Sequence, residues 1–553
     1  MSTANALNHT KDNNNFRVKR RINETNQKLL INTYKTNDNH GQTSTRLNAQ
    51  FFHSQLLMDI LLRMKTNIDD KNELIDLCKK ELNNDKDELN ILYEFSEIYS
   101  ADKALWWYTR ETFIYQFLNQ ALRIWDINLL VLFRFLIYDI QKQLEFNQCQ
   151  DSMCVYHAQL ISNSEFNILK NSIGEFISTN SFLSTSINID EALSFLDNSI
   201  LRDNLQPVLI VINADPTIKG VKPFANIAKH SYFTDEQEVL FMLGSVFQIN
   251  NVCYSEDYHL WIINMTLCSD YNHKLKPVFD YMKNEYGNGE TGLLSLGRVL
   301  RQMGKFNEAE NYYLKFLNQK QQDYKSQAQC YHLLGNIAFD KGDYDLSLEY
   351  HLNSLDIKMK NFLVNDPSLA YSHNSIGIVH WKKGNKDKAI ESYNRALKIW
   401  VQLYGEEDLK VAMCFNNMGI VYDDEKKYAD ALRCYEKTLM IRLKHLPIGH
   451  CDIGDTYNNM GAVHRCLGNH DRALYYFNRS LEIYEKSLFS QHPSIASTYK
   501  NIGITHEIKK NLVVALEFYN KAADIFHETL LMKHPDVIEI DRLIRNVSCR
   551  INA

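Results

Sequence analysis

The chain has 553 residues, too many for a single hydrophobic core, and this length predicts three or four folded units at roughly 150 residues each. Apolar residues make up 45% of the sequence and charged residues 23%, as in ordinary globular proteins. The net charge of −6, with no lysine-rich or arginine-rich stripe, argues against a nucleic-acid-binding protein.

The cysteines and the N-terminus carry no signal for a metal site or for secretion. The 11 cysteines form no Cys-x-x-Cys pair, so no zinc or redox motif is predicted. The first ten residues lack the apolar segment of a signal peptide. The most apolar stretch, residues 129–140, contains Arg134 and Asp139 and is too short to cross a bilayer. We therefore expect a cytoplasmic protein with no metal, no membrane partner and no nucleic-acid partner.

The first 268 residues divide into a tail and an α+β domain. Residues 1–50 are rich in Asn, Thr, Lys and Arg, which predicts a disordered tail that includes the basic run Lys19-Arg20-Arg21. From residue 51 to about 144, apolar side chains recur at helical spacing and predict helices. Short apolar runs then predict strands at 154–156, 182–186, 208–212, 238–243 and 258–265, with a short helix at 189–196. This mixture predicts a compact α+β domain over residues 51–268.

The rest of the sequence repeats with a period of 42 residues. Each unit contains an apolar residue followed by a glycine, and the glycines are Gly335, Gly377, Gly419, Gly461 and Gly503. An alanine lies twelve residues after each of the last four, and an aromatic residue lies four residues further on. An earlier copy, Leu296-Gly297, is offset by 38 residues. We interpret residues 269–291 as a linker and residues 292–548 as about six repeats.

This pattern resembles the tetratricopeptide repeat, and its period is similar to that of kinesin light chains. The resemblance implies an all-α superhelix with a concave face. With the repeat glycine counted as position eight, positions five and six carry carboxamides that can bind the backbone of an extended peptide or protein partner. These asparagines are Asn374, Asn416, Asn417, Asn458, Asn459 and Asn501, with Lys500 at position five of the last repeat. The alternative is that the asparagines bond each other or water.

Three motifs lie in order within the α+β domain. His157 is in a predicted strand, the run Ser184-Thr185-Ser186 follows, and Glu236 and Glu238 precede an apolar run. On a strand, residues two apart share a face, and two carboxylates held that close call for a cation or developing positive charge. Together the motifs resemble the arginine-specific mono-ADP-ribosyltransferases, whose signature is Arg, Ser-Thr-Ser and Glu-x-Glu. The resemblance implies a transferase domain with a helical lead-in and a mixed β core.

The resemblance also implies a role for each motif residue, with NAD or NADP as the co-substrate. Glu238 would stabilise the oxocarbenium-like ribose, and Glu236 would engage the guanidinium group of the acceptor arginine. Ser184, with Thr185 and Ser186, would brace the nicotinamide ribose and hold Glu238 in place. The target-facing loop would contain Phe224, Ser231 and Phe233.

His157 stands where the family signature has arginine. An arginine would pair permanently with a phosphate group of NAD. The polymerase-like and diphtheria-like branch of the same fold uses histidine there to bond the nicotinamide ribose. Three interpretations therefore stay open for His157, namely a ribose contact, weaker NAD binding, and a core histidine at a strand end.

We expect an enzyme that transfers ADP-ribose from NAD to arginine side chains of a protein acceptor and releases nicotinamide. The repeats would recruit the substrate or a partner. One alternative is an NAD glycohydrolase, in which water is the acceptor. The other is a non-catalytic tetratricopeptide adaptor with a degenerate transferase domain.

Overall fold

The computed structural model of the protein contains two compact units. One comprises Met1–Asn39 and Arg46–Val299, and the other comprises His40–Thr45 and Leu300–Ala553. The structure describes residues 31–34, 44–65, 68–82, 85–110, 112–196, 205–269, 272, 289, 291–319, 323–363, 365–487, 492–529 and 535–552. Among the helices in these ranges, none is both long enough and apolar enough to cross a membrane.

The first unit begins with a helical layer, as the apolar spacing predicts. Its helices are α1 (Ser44–Arg63), α2 (Ile68–Glu81), α3 (Lys86–Ile98), α4 (Ala104–Thr109), α5 (Phe113–Ile124) and α6 (Ile127–Phe146). Aspartates open two of them, because the Asp85 carboxylate accepts from the first backbone N–H groups of α3 and Asp126 accepts from Leu129 N in α6. Within this layer the buried Arg134 forms an ion pair with Asp70.

A mixed nine-stranded sheet follows in the described part of this unit. The strands are β1 (Ile31–Tyr34), β2 (Met153–Ser162), β3 (Phe176–Thr179), β4 (Leu183–Ser186), β5 (Leu205–Ala214), β6 (Phe224–Asn226), β7 (Glu238–Phe241), β8 (Val246–Ser255) and β9 (Leu260–Cys268). Their order is β1-β3-β8-β9-β5-β2-β4-β7-β6. Only β5 and β9 run parallel, and every other neighbouring pair is antiparallel. Helices α7 (Asn163–Lys170) and α8 (Ile189–Leu193) connect strands.

The five predicted strands and the predicted short helix are confirmed, with shifted ends. The structure adds β1, β3, β6 and β8, which the sequence analysis does not predict. The first of these, together with the start of α1 at Ser44, lies within the predicted disordered tail. The polar segment Ile31–Tyr34 forms a strand because its backbone pairs with β3 at the sheet edge. The other tail residues, and nearly all of the predicted linker 269–291, lie outside the described residues.

The second unit is a series of helices packed in consecutive pairs. The helices from residue 293 onward are α9 (Leu293–Gln302), α10 (Phe306–Leu317), α11 (Tyr324–Asp340), α12 (Tyr344–Asn361), α13 (Pro367–Lys382), α14 (Lys386–Tyr404), α15 (Leu409–Asp424), α16 (Tyr428–His445), α17 (Cys451–Cys466), α18 (His470–Ser487), α19 (Pro493–Ile508), α20 (Leu512–Thr529) and α21 (Pro535–Asn552). The boundaries recur with the predicted 42-residue period.

The repeat glycine and the repeat aromatic residue are in direct contact. A Cβ atom at Gly377 or Gly419 would lie 2.6 Å from the ring of Tyr393 or Tyr435, in the partner helix of the same pair. The same holds at 2.7 Å for Gly461 against Phe477. Because that separation is shorter than a normal contact, each ring lies on bare backbone. The spacing found in the sequence is therefore a packing requirement within each helix pair.

The repeat at Gly335 replaces the aromatic residue with His351. The imidazole lies in the same place, 2.7 Å from a Cβ built at Gly335, and the side chain is 1% exposed. Burial, reinforced by the neighbouring His332, Lys358 and Arg301, lowers the pKa of His351 to about 3. The ring is therefore neutral in the folded array over the physiological pH range.

A further 42-residue series lies between the repeats and is not recognised in the sequence analysis. Its members are Lys358, Trp400, Arg442, Tyr484 and Phe526, all buried. The Lys358 ammonium group donates to Ser372 Oγ at 2.7 Å, and the Arg442 guanidinium group donates to Thr456 Oγ1 at 2.8 Å. The series is hard to see because cations and aromatic rings fill the same position.

We expect Gly419→Ala to destabilise the array by about 1–3 kcal/mol, because the new methyl group would overlap the buried Tyr435 ring. Urea denaturation of the full chain measures this loss. The matched control is Gly449→Ala, where no atom lies within 4 Å of the added carbon. Equal stability of the two variants would contradict the packing argument.

We expect His351→Phe to remove a pH-dependent weakness of the array. In the unfolded chain His351 takes up a proton near pH 6.5, whereas in the folded array it does so only near pH 3, so wild-type stability falls as pH drops between these values. Between pH 7 and pH 5 the wild type should lose about 2 kcal/mol relative to the variant.

Urea midpoints at the two pH values test this expectation, with Tyr435→Phe at the equivalent position as the control. Tyrosine does not titrate in this range, so the control should follow the wild type. A His351→Phe variant with the pH dependence of the wild type would rule out the assignment.

Candidate functional site

The first unit contains a cleft where β2 and β4 separate. These strands pair at a single position, Tyr156 with Ser186. The open space there, including its mouth, is about 480 Å³, which is within the range of small-ligand pockets. Its lining residues are Tyr156, His157, Ala158, Gln159, Ser184, Thr185, Ser186, Glu191, Ala192, Phe195, Glu236 and Glu238. All three sequence motifs therefore meet in one cleft.

Glu238 and Ser184 are joined across two neighbouring strands. Strand β7 pairs with β4 so that Glu238 lies opposite Ser186 and Leu240 lies opposite Ser184. The Ser184 hydroxyl donates to Glu238 Oε1 at 2.5 Å, along the diagonal of this pairing. Glu238 is 5% exposed, so its carboxylate is held in a largely desolvated position. The predicted support of Glu238 by Ser184 agrees with this contact.

His157 is bonded through both ring nitrogens. Its Nδ1 lies 2.8 Å from the backbone carbonyl oxygen of Ser184, and its Nε2 lies 3.0 Å from the Gln159 side-chain amide oxygen. Since a carbonyl oxygen can only accept, Nδ1 carries a proton and donates to Ser184. His157 thus connects β2 to β4 where the backbone ladder between them has ended. This position is at the cleft wall and not in the apolar core.

The Ser-Thr-Ser run divides into three different contacts. Ser184 reaches Glu238, as described above. The buried Thr185 hydroxyl donates to the Val239 carbonyl oxygen at 2.8 Å and so ties β4 to β7. Ser186 donates to Glu191 Oε2 at 2.7 Å. The run therefore does not act as one ribose-bracing unit, because successive side chains on a strand point to opposite faces.

Glu236 precedes β7 and does not share a strand face with Glu238. It lies in the turn before the strand, half-buried, and lines the same cleft. Glu191, in the first turn of α8, adds a third carboxylate that sequence reasoning does not identify. Gln159 is missed in the same way. Both depend on strand register, and no local sequence signal marks them.

The predicted target-facing residues are buried. Phe224, Ser231 and Phe233 are 0%, 3% and 7% exposed, so their assignment to a target-facing surface is wrong. Phe224 instead stacks on a β7 phenylalanine, with ring centroids 4.9 Å apart. The exposed residue of this segment is Tyr232, at 43%, whose ring packs 5.5 Å from that of Trp106 in α4.

The charge of the cleft fits one end of NAD better than the other. Among the described residues that line it, Glu191, Glu236 and Glu238 are carboxylates, and none is lysine or arginine. Carboxylates suit the positively charged nicotinamide and the ribose carbon that becomes cationic as the bond breaks. A diphosphate prefers arginine, lysine or a helix N-terminus. The lining therefore fits the nicotinamide–ribose half of the dinucleotide.

In the array, the position-five and position-six asparagines bond each other. Asn417 donates to Asn374 at 3.0 Å, and Asn459 donates to Asn416 at 3.3 Å. Asn501 continues the series by donating to Asn458 at 3.2 Å. This is the arrangement that the sequence analysis left open as the alternative to peptide binding. Each donating amide keeps a second N–H, so peptide binding remains a prediction.

The last repeat departs from the asparagine series. Lys500 takes position five, and its ammonium group donates to Asp536 at 2.9 Å and to Glu539 at 2.7 Å. Both acids belong to α21. The substitution therefore joins the final helix to the array, which closes the last repeat interface with an ion pair.

One cluster of potential metal ligands is present in the described part of the chain. The ligand atoms of His450, Cys451 and Asp452 lie within 4.8 Å of one another at the start of α17. His450 Nδ1 accepts from the backbone N–H of Asp452 at 3.2 Å. His492 makes the equivalent contact with Ser494 at the start of α19. This recurrence assigns the histidine to helix capping.

Comparison with known proteins identifies the repeats. The family model described as "Tetratricopeptide repeat" matches residues 290–360, 326–400, 368–444 and 452–528. The C-terminal part of the chain is therefore a tetratricopeptide-repeat array. None of the curated proteins matches the sequence.

Several solved structures are similar to part of the chain. BtubC (BKLC) from P. vanneervenii is 20% identical, with 46% of this chain and 92% of that chain covered and a TM-score of 0.33. A Podosopora anserina protein with nearly identical TPR-like repeats is 17% identical, covering 38% and 99%, with a TM-score of 0.33. Apo RapI is 18% identical, covering 47% and 97%, also with a TM-score of 0.33.

Proposed function

We propose that the first unit transfers ADP-ribose from NAD to an arginine side chain of a protein and releases nicotinamide, and that the tetratricopeptide array recruits the protein acceptor or a partner. The observation that supports the transferase proposal is the contact between Ser184 and Glu238 on adjacent strands, beside His157 and within one cleft. Residues more than 80 positions apart in the sequence thereby meet in the order that the resemblance requires.

In the proposed reaction the bond between nicotinamide and C1 of the ribose breaks, and nicotinamide leaves with the bonding electron pair. The positive character on the ribose is stabilised by Glu238, whose orientation is fixed by the Ser184 hydroxyl at 2.5 Å. A guanidinium nitrogen of the acceptor then bonds to C1 and loses one proton. Glu236, half-buried at the cleft, would hold and orient that guanidinium group.

His157 would act through position and not through charge. Its Nδ1–H is already donated to the Ser184 carbonyl, so the ring maintains the spacing of the cleft walls. Its Nε2 edge, beside Gln159, is the part that a ribose hydroxyl could meet. This use is closer to the ribose-contact interpretation than to a phosphate contact, because the imidazole has no permanent charge or planar fork.

A role of the array in protein binding is supported independently by the repeat family. Stacked helix pairs present an extended concave surface, and tetratricopeptide repeats use such surfaces for peptides and proteins. An adaptor without catalysis is therefore a second candidate function. It differs from the first in requiring no turnover of NAD.

We expect Glu238→Gln to lower ADP-ribose transfer at least 100-fold, since an amide cannot stabilise the cationic ribose. Glu236→Gln should lower transfer to arginine more than hydrolysis of NAD, because it removes the partner of the guanidinium group. Labelled NAD with polyarginine measures both products. The matched control is Glu256→Gln, an exposed glutamate in the turn between β8 and β9.

The three candidate activities give different products in this assay. Label on polyarginine supports the transferase, free ADP-ribose alone supports the glycohydrolase, and no turnover supports the adaptor. Retained activity in Glu238→Gln would refute its assigned role. An equal loss of transfer and hydrolysis in Glu236→Gln would refute the acceptor role of that residue.

We expect Asn417→Ala combined with Asn459→Ala to weaken partner binding about tenfold or more, at ~1 kcal/mol for each lost hydrogen bond. The array should stay folded, because each amide is only half-buried and its Asn partner remains accessible to water. Quantitative capture of partner proteins by immobilised full chain, with circular dichroism alongside, tests this. Asn394→Ala with Asn478→Ala, exposed on second helices, is the control. Capture equal to that of the control would exclude the groove asparagines as contacts.

A further inference from the structure

The cleft and the N-terminal segment have opposite charges. Three carboxylates, Glu191, Glu236 and Glu238, line the cleft, and its described lining includes no lysine or arginine. Upstream of the first strand, residues 17–21 read Arg-Val-Lys-Arg-Arg and carry four positive charges in five positions. Such a segment is a natural ligand for an acidic cleft, and arginine matches a carboxylate through two parallel hydrogen bonds.

The basic segment is attached at a place from which it can reach the cleft of its own chain. Strand β1 begins at Ile31, and β4, which carries Ser184, lies six strand positions away in the sheet. At ~4.8 Å between neighbouring strands, that separation is about 29 Å. Ten residues separate Arg21 from Ile31, and they span up to ~33–36 Å when extended. For Arg17 the corresponding reach is ~46–50 Å.

We propose that residues 17–21 occupy the acidic cleft of the same chain and supply its first acceptor, so that the protein ADP-ribosylates one of Arg17, Arg20 and Arg21 in cis. This inference rests on the transferase function proposed above. A guanidinium nitrogen bonds to C1 of the ribose, nicotinamide leaves with the electron pair of the broken bond, and the guanidinium group releases one proton. The attached diphosphate adds two negative charges to the segment. The product is therefore repelled by Glu191, Glu236 and Glu238 and leaves the cleft open to other acceptors.

The test uses the full chain with labelled NAD and, in parallel, with agmatine as a small free guanidinium acceptor. The variant Arg17→Lys/Arg20→Lys/Arg21→Lys keeps the charge of the segment but removes its acceptors. The matched control is Arg395→Lys/Arg433→Lys/Arg472→Lys, three exposed arginines of the array. Mass spectrometry locates the modified residues.

We expect the wild type to carry ADP-ribose within residues 17–21, at a fractional rate that does not change over a hundredfold range of protein concentration. The tail variant should lose self-labelling at least tenfold and still modify agmatine, and the control should behave as the wild type. Agmatine modification with self-labelling that persists in the tail variant, or that rises in proportion to protein concentration, would overturn this inference alone. Failure to modify both agmatine and the chain would overturn the transferase function itself.

Discussion

The cleft of the first unit depends on the pairing of β4 with β7. This register sets Glu238 opposite Ser186 and so brings the Ser184 hydroxyl onto its carboxylate. A slip by one residue would turn Ser184 and Glu238 to opposite faces, because side chains alternate along a strand. The Thr185 hydroxyl, bonded to the Val239 carbonyl, adds a contact specific to this register. A residue within the motif therefore has a structural task that makes the chemical contact of its neighbour possible.

The array is held by a local contact that is repeated. Each first helix presents a bare glycine backbone, and the ring sixteen residues later covers it within the same pair. Such contacts involve only neighbouring elements, so the stability of a repeat array is close to a sum over its units and interfaces. That independence explains why the array tolerates His351 in one unit and Lys358 or Arg442 between units. A closed globular core would spread the cost of each polar substitution over the whole fold.

The two halves of the chain differ in how far the sequence predicts them. Glycine, alanine and aromatic spacing predicts the array because the contact behind it lies within one repeat, and the family comparison agrees. In the first unit the motif residues are predicted, but their division of labour is not. Glu191 and the separate task of Thr185 depend on register between strands that are distant in sequence. Strand β1 is missed for the same reason, since the pairing of its backbone with β3 decides its structure.

An acidic cleft alone cannot choose one protein among many. A carboxylate recognises the guanidinium group of any accessible arginine, and an exposed pair of this kind contributes little free energy. Selectivity in the proposed reaction must therefore come from the local concentration of one acceptor at the cleft. A covalently attached acceptor, or one bound by a linked domain, reaches effective concentrations in the millimolar range when the connection spans the distance. The basic N-terminal segment supplies the first kind of attachment and the tetratricopeptide array supplies the second, so the same cleft would act on its own chain before it acts on a captured partner.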